Sequence, residues 1–110
     1  MKNRIFMSYE ILVGLDVLDE AKYEAYRAAM KPILKSYHGC FGYDFKVSEV
    51  LIAQDEKNIN RVFTLNFKNK NAMDEFFSNA QYLQIKDKYF EKSVGDVTII
   101  SSYEKIDSQG

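Results

Sequence analysis

The segment from Arg61 to Phe67, RVFTLNF, constrains the fold more than any other part of this chain. Phe63, Leu65 and Phe67 form an apolar face at a period of two, and polar stretches flank the segment, which predicts a β-strand. The alternate positions have mixed polarity: Val62, Thr64 and Asn66. Because neither face is fully polar, we predict an interior strand whose two sides are covered by different surroundings.

The length of 110 residues fits one domain. We predict a single domain over residues 1–110, ordered from about residue 5 to residue 106, with a loose tail at 107–110. The chain has eight Tyr, eight Phe and no Trp. This is more ring area than one small core needs, so part of it is expected in a subunit interface or a pocket.

Charge and hydropathy exclude several classes of partner. The formal net charge is -1, with 15 basic and 16 acidic residues interspersed, so neither nucleic acid nor an anionic membrane is an expected partner. We read no signal peptide at the start and no apolar run of membrane-spanning length. A lone cysteine, Cys40, cannot form an internal disulfide, which favours a reducing compartment. We therefore expect a cytoplasmic location.

Hydrophobic periodicity predicts six elements in the order β-α-β-β-α-β. The predicted strands span residues 5–15, 41–52, 61–67 and 97–103. The predicted helices span 20–38 and a second segment that begins near Asn69 or Asn71 and ends at Gly95.

Local residue types predict caps and breaks. Asp19 fits the N-cap of the first helix, and Gly39 fits its C-terminal cap. Ser78 and Gln81 have the spacing of a capping box, so the second helix should break and restart at Ser78. The apolar phase of the second strand slips near its end, which predicts a β-bulge at Ser48-Glu49.

This order of elements predicts a ferredoxin-like α+β fold, with a four-stranded antiparallel sheet and both helices on one face. The other face, called the open face below, combines apolar and polar side chains: Leu12, Val62, Thr64, Thr98 and Ile100 with Glu10 and Asn66. It is too apolar for water and too polar for an ordinary core. We therefore predict a homodimer in which two sheets pair through this face.

Spaced residues along most of the chain resemble a known family. They are Tyr9-Glu10-Ile11, Tyr23-Glu24-Ala25-Tyr26, Pro32-Ile33-Leu34 with Tyr37-His38-Gly39, Arg61-Val62-Phe63 with Asn66-Phe67, and Ala72 with Phe76-Phe77-Ser78 and Tyr82. The pattern resembles domain of unknown function family 1330, of the dimeric α+β barrel superfamily. The resemblance implies ferredoxin-like protomers that pair sheet to sheet around a cavity.

The chain departs from the family pattern at three places. The family often has Gly-Gly at His38-Gly39, Glu at Asn66 and Arg near Tyr89, so roles of those family residues do not transfer. The superfamily includes cofactor-independent oxygenases, haem-degrading enzymes, isomerases and dehalogenase-like members. Haem degraders depend on a Trp that this chain lacks, so they resemble it in fold only.

Three residues are candidates for catalysis. Glu10 lies on the mixed face of an interior strand, where an unpaired charge is costly; it would serve as a base or pair with Arg61 or a Lys across the interface. His38 has a pKa suited to a general base, but as a residue at a helix C-terminus it also fits a structural role. Asn66 would orient a carbonyl or enolate, or would only link strands.

Further residues are candidates for ligand binding: Tyr9, Tyr43, Asp44, Arg61, Thr64 and Tyr103. The phenols would donate to a ligand, although tyrosines of a small core usually pack with the hydroxyl at the rim. Cys40 and His38 have the spacing of a nucleophile pair on an extended segment, but a buried, inert thiol is the commoner arrangement. No metal-ligand spacing or glycine-rich phosphate loop is present, so we expect no metal and no cofactor.

The sequence is therefore interpreted as a homodimer that binds a small apolar or aromatic molecule between its paired sheets. The enzymatic version of this interpretation is a cofactor-independent oxygenase or isomerase. The alternative is a non-catalytic binding or stress-associated module. The fold alone does not separate the two, because one scaffold carries many functions.

Overall fold

A computed structural model describes the backbone of residues 4–109 and the side chains of residues 7–106. It contains the following elements in chain order: β1 Arg4–Val17, α1 Glu20–Ser36, β2 Cys40–Lys46, β3 Arg61–Phe67, α2 Lys70–Ser78, α3 Ala80–Ile85, a π-helical turn Lys86–Phe90, α4 Glu91–Ser93 and β4 Val94–Gln109. Within the described part of the chain, no helix is both long and apolar enough to cross a membrane.

The four strands form one sheet in the order β2-β3-β1-β4, and every neighbouring pair is antiparallel. This topology confirms the predicted ferredoxin-like α+β fold, with β3 in the interior. β1 and β4 are longer than expected. β4 runs to Gln109, opposite Arg4, so three of the four residues expected to form a tail are in the strand.

The core lies between the sheet and the helices. The odd positions of β1 and β3 face it, as the period-two pattern predicted, and Tyr23, Phe67 and Phe76 are completely buried there. Burial of such a large apolar side chain contributes about 1.5–3 kcal/mol.

The first helix begins and ends through local hydrogen bonds. Asp19 is its N-cap, as predicted, and accepts from the backbone N–H of Lys22. At the other end, the N–H groups of His38 and Gly39 donate to the carbonyls of Lys35 and Leu34, which is a Schellman motif. The left-handed residue of this motif is His38, with φ 59°, and not the predicted Gly39.

Gly39 is needed for a different reason. A Cβ at this position would lie 2.5 Å from Leu34 Cδ1 and 3.0 Å from Phe67 Cε1. The backbone therefore passes too close to the core for any larger residue.

The second helical segment breaks where predicted, but through a different cap. Asn79, not Ser78, is the N-cap of α3 and accepts from the N–H of Tyr82 at 2.9 Å. The Ser78 hydroxyl donates instead to the carbonyl of Asp74. The π-helical turn that follows was not predicted; such turns are rare and often occur at functional sites.

The bulge in β2 was predicted at the wrong place. Phe41 pairs with Leu65 and Asp44 pairs with Phe63, so the irregularity lies at Gly42-Tyr43 and not at Ser48-Glu49. One consequence is that Asp44 lies on the same side of the sheet as Phe41, facing α1.

The long loop between β2 and β3 is fixed to the sheet and covers one end of the open face. The Asn60 side chain bonds both backbone polar groups of Val17, at 2.8 and 2.9 Å. Ile59 packs on Gly14, where an added Cβ would lie 2.9 Å from Ile59 Cδ1. Leu51 and Ile52 in the same loop are exposed.

Candidate functional site

An apolar cavity of about 390 Å³ lies between the helices and the sheet. Its floor is formed by β1 and β3, and its walls by α1, α3, the π-helical turn and the start of β4. The side chains that line it include Ile11, Val13, Leu15, Met30, Phe41, Phe63, Leu65, Phe77, Phe90, Val94, Val97 and Ile99. Because Glu91, Val97 and Ile99 are exposed, the cavity opens between α4 and β4. We call it the helix–sheet cavity.

Three phenols contribute polar atoms to this cavity. The hydroxyls of Tyr26 and Tyr82 are hydrogen-bonded to each other at 2.8 Å, and Tyr23 Oη accepts from Arg27 Nε at 2.8 Å. Burial is the main cause that raises the pKa of all three tyrosines. The phenols are therefore protonated at neutral pH and available as hydrogen-bond donors.

Arg27 joins the cavity to a charged network at the end of the sheet. Its guanidinium lies 4.0 Å from the centre of the Phe41 ring and donates two bonds to Asp44, each 3.2 Å long. Arg61 donates two more bonds to Asp44, at 2.9 and 3.0 Å. The Arg61 bonds are the largest influence that lowers the pKa of the Asp44 carboxyl, and Asp44 in turn raises the pKa of Arg61.

This network holds two buried cations around one carboxylate. The side chains of Arg27 and Arg61 are each 9% exposed, while that of Asp44 is 33% exposed. Arg61 Nη1 is buried and has no hydrogen-bond partner among the described residues, although Glu20 and Glu24 each lie 3.6 Å from the Arg61 guanidinium. The two buried guanidiniums are therefore balanced by the half-buried Asp44 and by the exposed carboxylates of Glu20 and Glu24, and the network lies behind one wall of the cavity.

A second ion pair lies at the opening. Lys86 Nζ is 3.5 Å from Glu91 Oε1, and both residues line the cavity. They are five positions apart, which is the spacing that a π-helical turn brings onto one side. The side chains are 41% and 56% exposed, so water and small molecules reach both.

On the open face, Glu10 is the centre of a polar cluster. Its carboxylate accepts from Tyr103 Oη at 2.5 Å and from Asn66 Nδ2 at 3.3 Å, and Lys105 Nζ is 3.6 Å away. Asn66 Nδ2 also donates to Ser8 Oγ at 3.0 Å. The Glu10 bond is the main cause that raises the pKa of Tyr103. Register explains the cluster, because Asn66 and Tyr103 are the cross-strand partners of Glu10.

The predicted site residues divide between the two sides of the sheet. Glu10, Asn66 and Tyr103 meet on the open face, where Thr64 is also buried and accepts from the backbone N–H of Tyr43. Within its own chain, Glu10 lies 3.6 Å from Lys105. A pairing across an interface with Arg61 or a Lys stays a prediction, and Arg61 itself is bonded to Asp44 on the helix-facing side.

The remaining predicted residues lie elsewhere. Asp44 and Arg61 contact each other in the network beside α1, and Tyr9 packs at the edge of the core. Tyr43 is exposed and stacks on the Phe45 ring. His38 is exposed in the turn after α1, and Cys40 is an exposed free thiol rather than a buried one.

Sequence reasoning missed the residues that give the helix–sheet cavity its polarity. Tyr23, Tyr26 and Tyr82 recur at helical spacing, which predicts only burial in the core, and nothing in the pattern distinguishes Arg27 or Lys86 from surface residues. The one signal in the sequence was an excess of aromatic residues over what a small core needs.

The fold and the sites described above define a ferredoxin-like α+β protein. It has a cavity on the helix-facing side of its sheet and a polar cluster around Glu10 on the open face. The sequence matches the family described as Domain of unknown function (DUF1330) over residues 8–103. The chain therefore belongs to the DUF1330 family. Comparison with curated proteins gives no match.

Solved structures share the fold at low sequence identity. The methylated RPA0582 protein, of unknown function and from Rhodopseudomonas palustris, is 16% identical with a TM-score of 0.76; the match covers 94% of this chain and 84% of that one. A dabb family protein with a ferredoxin-like fold from Mesorhizobium loti is 13% identical, with a TM-score of 0.57 and coverage of 90% and 94%.

A dimeric ferredoxin-like protein of unknown function from Thermobifida fusca is also similar. It is 7% identical with a TM-score of 0.54, and the match covers 91% of each chain. At such identities the likeness extends to the fold and not to the chemistry of a site.

Proposed function

We propose that this protein binds a small, largely apolar or aromatic molecule in the helix–sheet cavity. The observation that carries the proposal is an opening of about 390 Å³ that reaches the core in a single chain. This volume is near the lower end of the range for small-molecule sites, which are usually apolar with a few placed polar groups. The walls fit that description, since rings and aliphatic side chains surround three phenols and one guanidinium.

This location differs from the expected one between paired sheets. An inter-sheet cavity stays a prediction, because it would require a second chain. The polar groups of the open face around Glu10 are already hydrogen-bonded to one another. Those of the helix–sheet cavity keep donor capacity, so the cavity is the better site for a ligand.

We also propose that two copies pair through the open face. Phe45, opposite Val62, and Tyr43 are 53% and 65% exposed, and together with the half-buried Leu12 they give this face an apolar surface. Such a patch on a sheet is characteristic of an interface. The similar Thermobifida fusca protein is described as dimeric, which supports the proposal.

The absence of a second cysteine to pair with Cys40 supports a cytoplasmic location.

The cavity proposal is tested by two adjacent substitutions on β4. Ile99 lines the cavity, whereas Ile100 does not and has no partner opposite it in β1; both are about half exposed. Ile99→Trp should fill the opening and abolish binding of the probe 2-naphthol in calorimetry. Ile100→Trp, the matched control, should bind as the unmodified protein does. Equal binding by both variants would place the probe outside the cavity and contradict the proposal.

A second candidate function is cofactor-independent proton transfer on the open face, as in an oxygenase or isomerase. It is favoured by the buried carboxylate of Glu10 between Asn66 and Tyr103. His38, the other predicted base, is exposed in the turn after α1 and is not part of this cluster. Glu10→Gln should then change 2-naphthol binding or turnover while the mass in solution stays that of a dimer. Dissociation to monomers would show that Glu10 has a structural role only.

A further inference from the structure

The polar groups in the wall of the helix–sheet cavity are almost all donors. Tyr23 Oη accepts from Arg27 Nε, so its own proton is not used in that bond. The phenol is completely buried. Its proton therefore remains available for an acceptor in the cavity that Tyr23 lines.

The tyrosine pair provides a second free proton. Whichever of Tyr26 and Tyr82 donates across their 2.8 Å contact, the other phenol still has its own O–H. Burial raises the pKa of both groups, which keeps the two protons in place at neutral pH. Because donors outnumber acceptors in this wall, an apolar ligand would leave buried O–H groups without partners.

The opening adds an ammonium group. Lys86 has three N–H donors, and its contact with Glu91 at 3.5 Å uses one at most. Among the described residues that line the cavity, Glu91 is the one carboxylate, and it is paired with Lys86. Asp44, which does not line the cavity, accepts four bonds from two arginines, and the Arg27 guanidinium that it pairs with lies beside the Phe41 ring in the wall.

We infer that the ligand is a small aromatic acid or a similar ring compound with anionic or acceptor oxygens, and that Lys86 binds this oxygen in place of Glu91. The inference rests on the proposed function, since it describes the chemistry of the molecule in the same cavity. The ring would occupy the aromatic wall, and the oxygens would accept from Lys86 and the phenols. An amine would meet mainly donors, with the one lining carboxylate, Glu91, already paired with Lys86.

Three probes with one ring system separate the alternatives: 2-naphthoate, 2-naphthol and 2-naphthylmethylammonium. Calorimetry at neutral pH should give the tightest binding for the acid, weaker binding for the phenol and at least about tenfold weaker binding for the amine than for the acid. Binding of the amine as tight as that of the acid would overturn the inference and leave cavity binding intact. Failure of all three probes would overturn the proposed function as well.

Variants at the π-helical turn test the role of Lys86. Lys86→Met should weaken 2-naphthoate binding about tenfold and change 2-naphthol binding by less than about threefold, because a single charge is lost. Lys88→Met is the matched control, since Lys88 is on the same turn but does not line the cavity, and it should change neither affinity. Equal losses in the two variants would overturn the role of Lys86.

A gain of affinity is a stricter test, because a damaged fold cannot produce it. Glu91→Gln frees Lys86 from its partner and removes a negative charge beside the ligand oxygen. The variant should bind 2-naphthoate about threefold more tightly and leave 2-naphthylmethylammonium unchanged or weaker. A loss of 2-naphthoate affinity in Glu91→Gln would contradict the exchange of Glu91 for the ligand.

Discussion

Replacing Asp44 by Asn should destabilise the protein far more than a surface ion pair would. The carboxylate accepts four bonds from Arg27 and Arg61, whose side chains are each only 9% exposed. Removing one partner of a buried pair costs about 3–5 kcal/mol. Asp44 is one-third exposed and Asn still accepts from one arginine, so the expected loss in the free energy of unfolding is about 2–3 kcal/mol.

Urea denaturation at neutral pH measures this loss, with Asp74→Asn as the matched control. Asp74 pairs with Lys70 at 3.1 Å, but both side chains are more than half exposed, so the control should lose less than about 0.5 kcal/mol. Equal losses in the two variants would refute the reasoning, because burial would then not determine how much an ion pair contributes to the free energy of unfolding.

The pH dependence of this effect follows from the sign of the shift. The arginines hold the pKa of Asp44 below its ordinary value of about 3.9, so the carboxylate stabilises the fold above that value. This contribution is lost as the pH falls through the lowered pKa. The difference in the free energy of unfolding between the unmodified protein and Asp44→Asn should therefore have its full value at neutral pH and disappear only in strong acid.

Four further substitutions test local structure by thermal or urea denaturation. His38→Gly should raise stability by about 0.5–1 kcal/mol, because glycine has no penalty at φ 59°; a loss would contradict the assigned motif. Asn79→Ala should cost about 1 kcal/mol of stability and Ser78→Ala much less. The reverse order would contradict the Asn79 cap and favour the predicted capping box at Ser78. Gly39→Ala should cost about 1–3 kcal/mol through its clash with Leu34, and a neutral result would show that the turn adjusts.

Much of the fold could be predicted because its signals are local. The period-two faces of β1 and β3 and the helical stripes depend only on neighbours in sequence. Positions with two equivalent local solutions were less predictable. Ser78 and Asn79 are both good N-caps, and Val50 and Ile52 continue an alternating pattern although they are in an exposed loop.

The charged network could not be predicted because it depends on register. Without the bulge at Gly42-Tyr43, the alternation from Phe41 would place Asp44 on the open face, away from Arg61. One extra residue reverses the side of every residue that follows it. The position of the bulge is determined by tertiary packing. The contact of Asp44 with two arginines therefore has no signal in the local sequence.

The open-face cluster shows the opposite case. Glu10 and Asn66 were selected because both interrupt the apolar pattern of interior strands, and the sheet register brings them together. The helix–sheet cavity had no such signal. Its volume depends on how α3 and the π-helical turn pack against β4. The hydrophobic periodicity of the sequence does not predict this packing.

The central claim is that ligands bind on the helix-facing side of the sheet, and methyl NMR of the methionines tests it directly. Met30 lines the helix–sheet cavity, whereas Met7 is exposed near the end of the sheet and Met73 lies in α2, partly buried against the core and outside the cavity lining. Titration with 2-naphthoate should move the Met30 methyl signal through ring-current effects and leave Met7 and Met73 in place. An unchanged Met30 signal, with shifts instead at the backbone amide of Gly42 beside Glu10, would move the site to the open face and contradict the account.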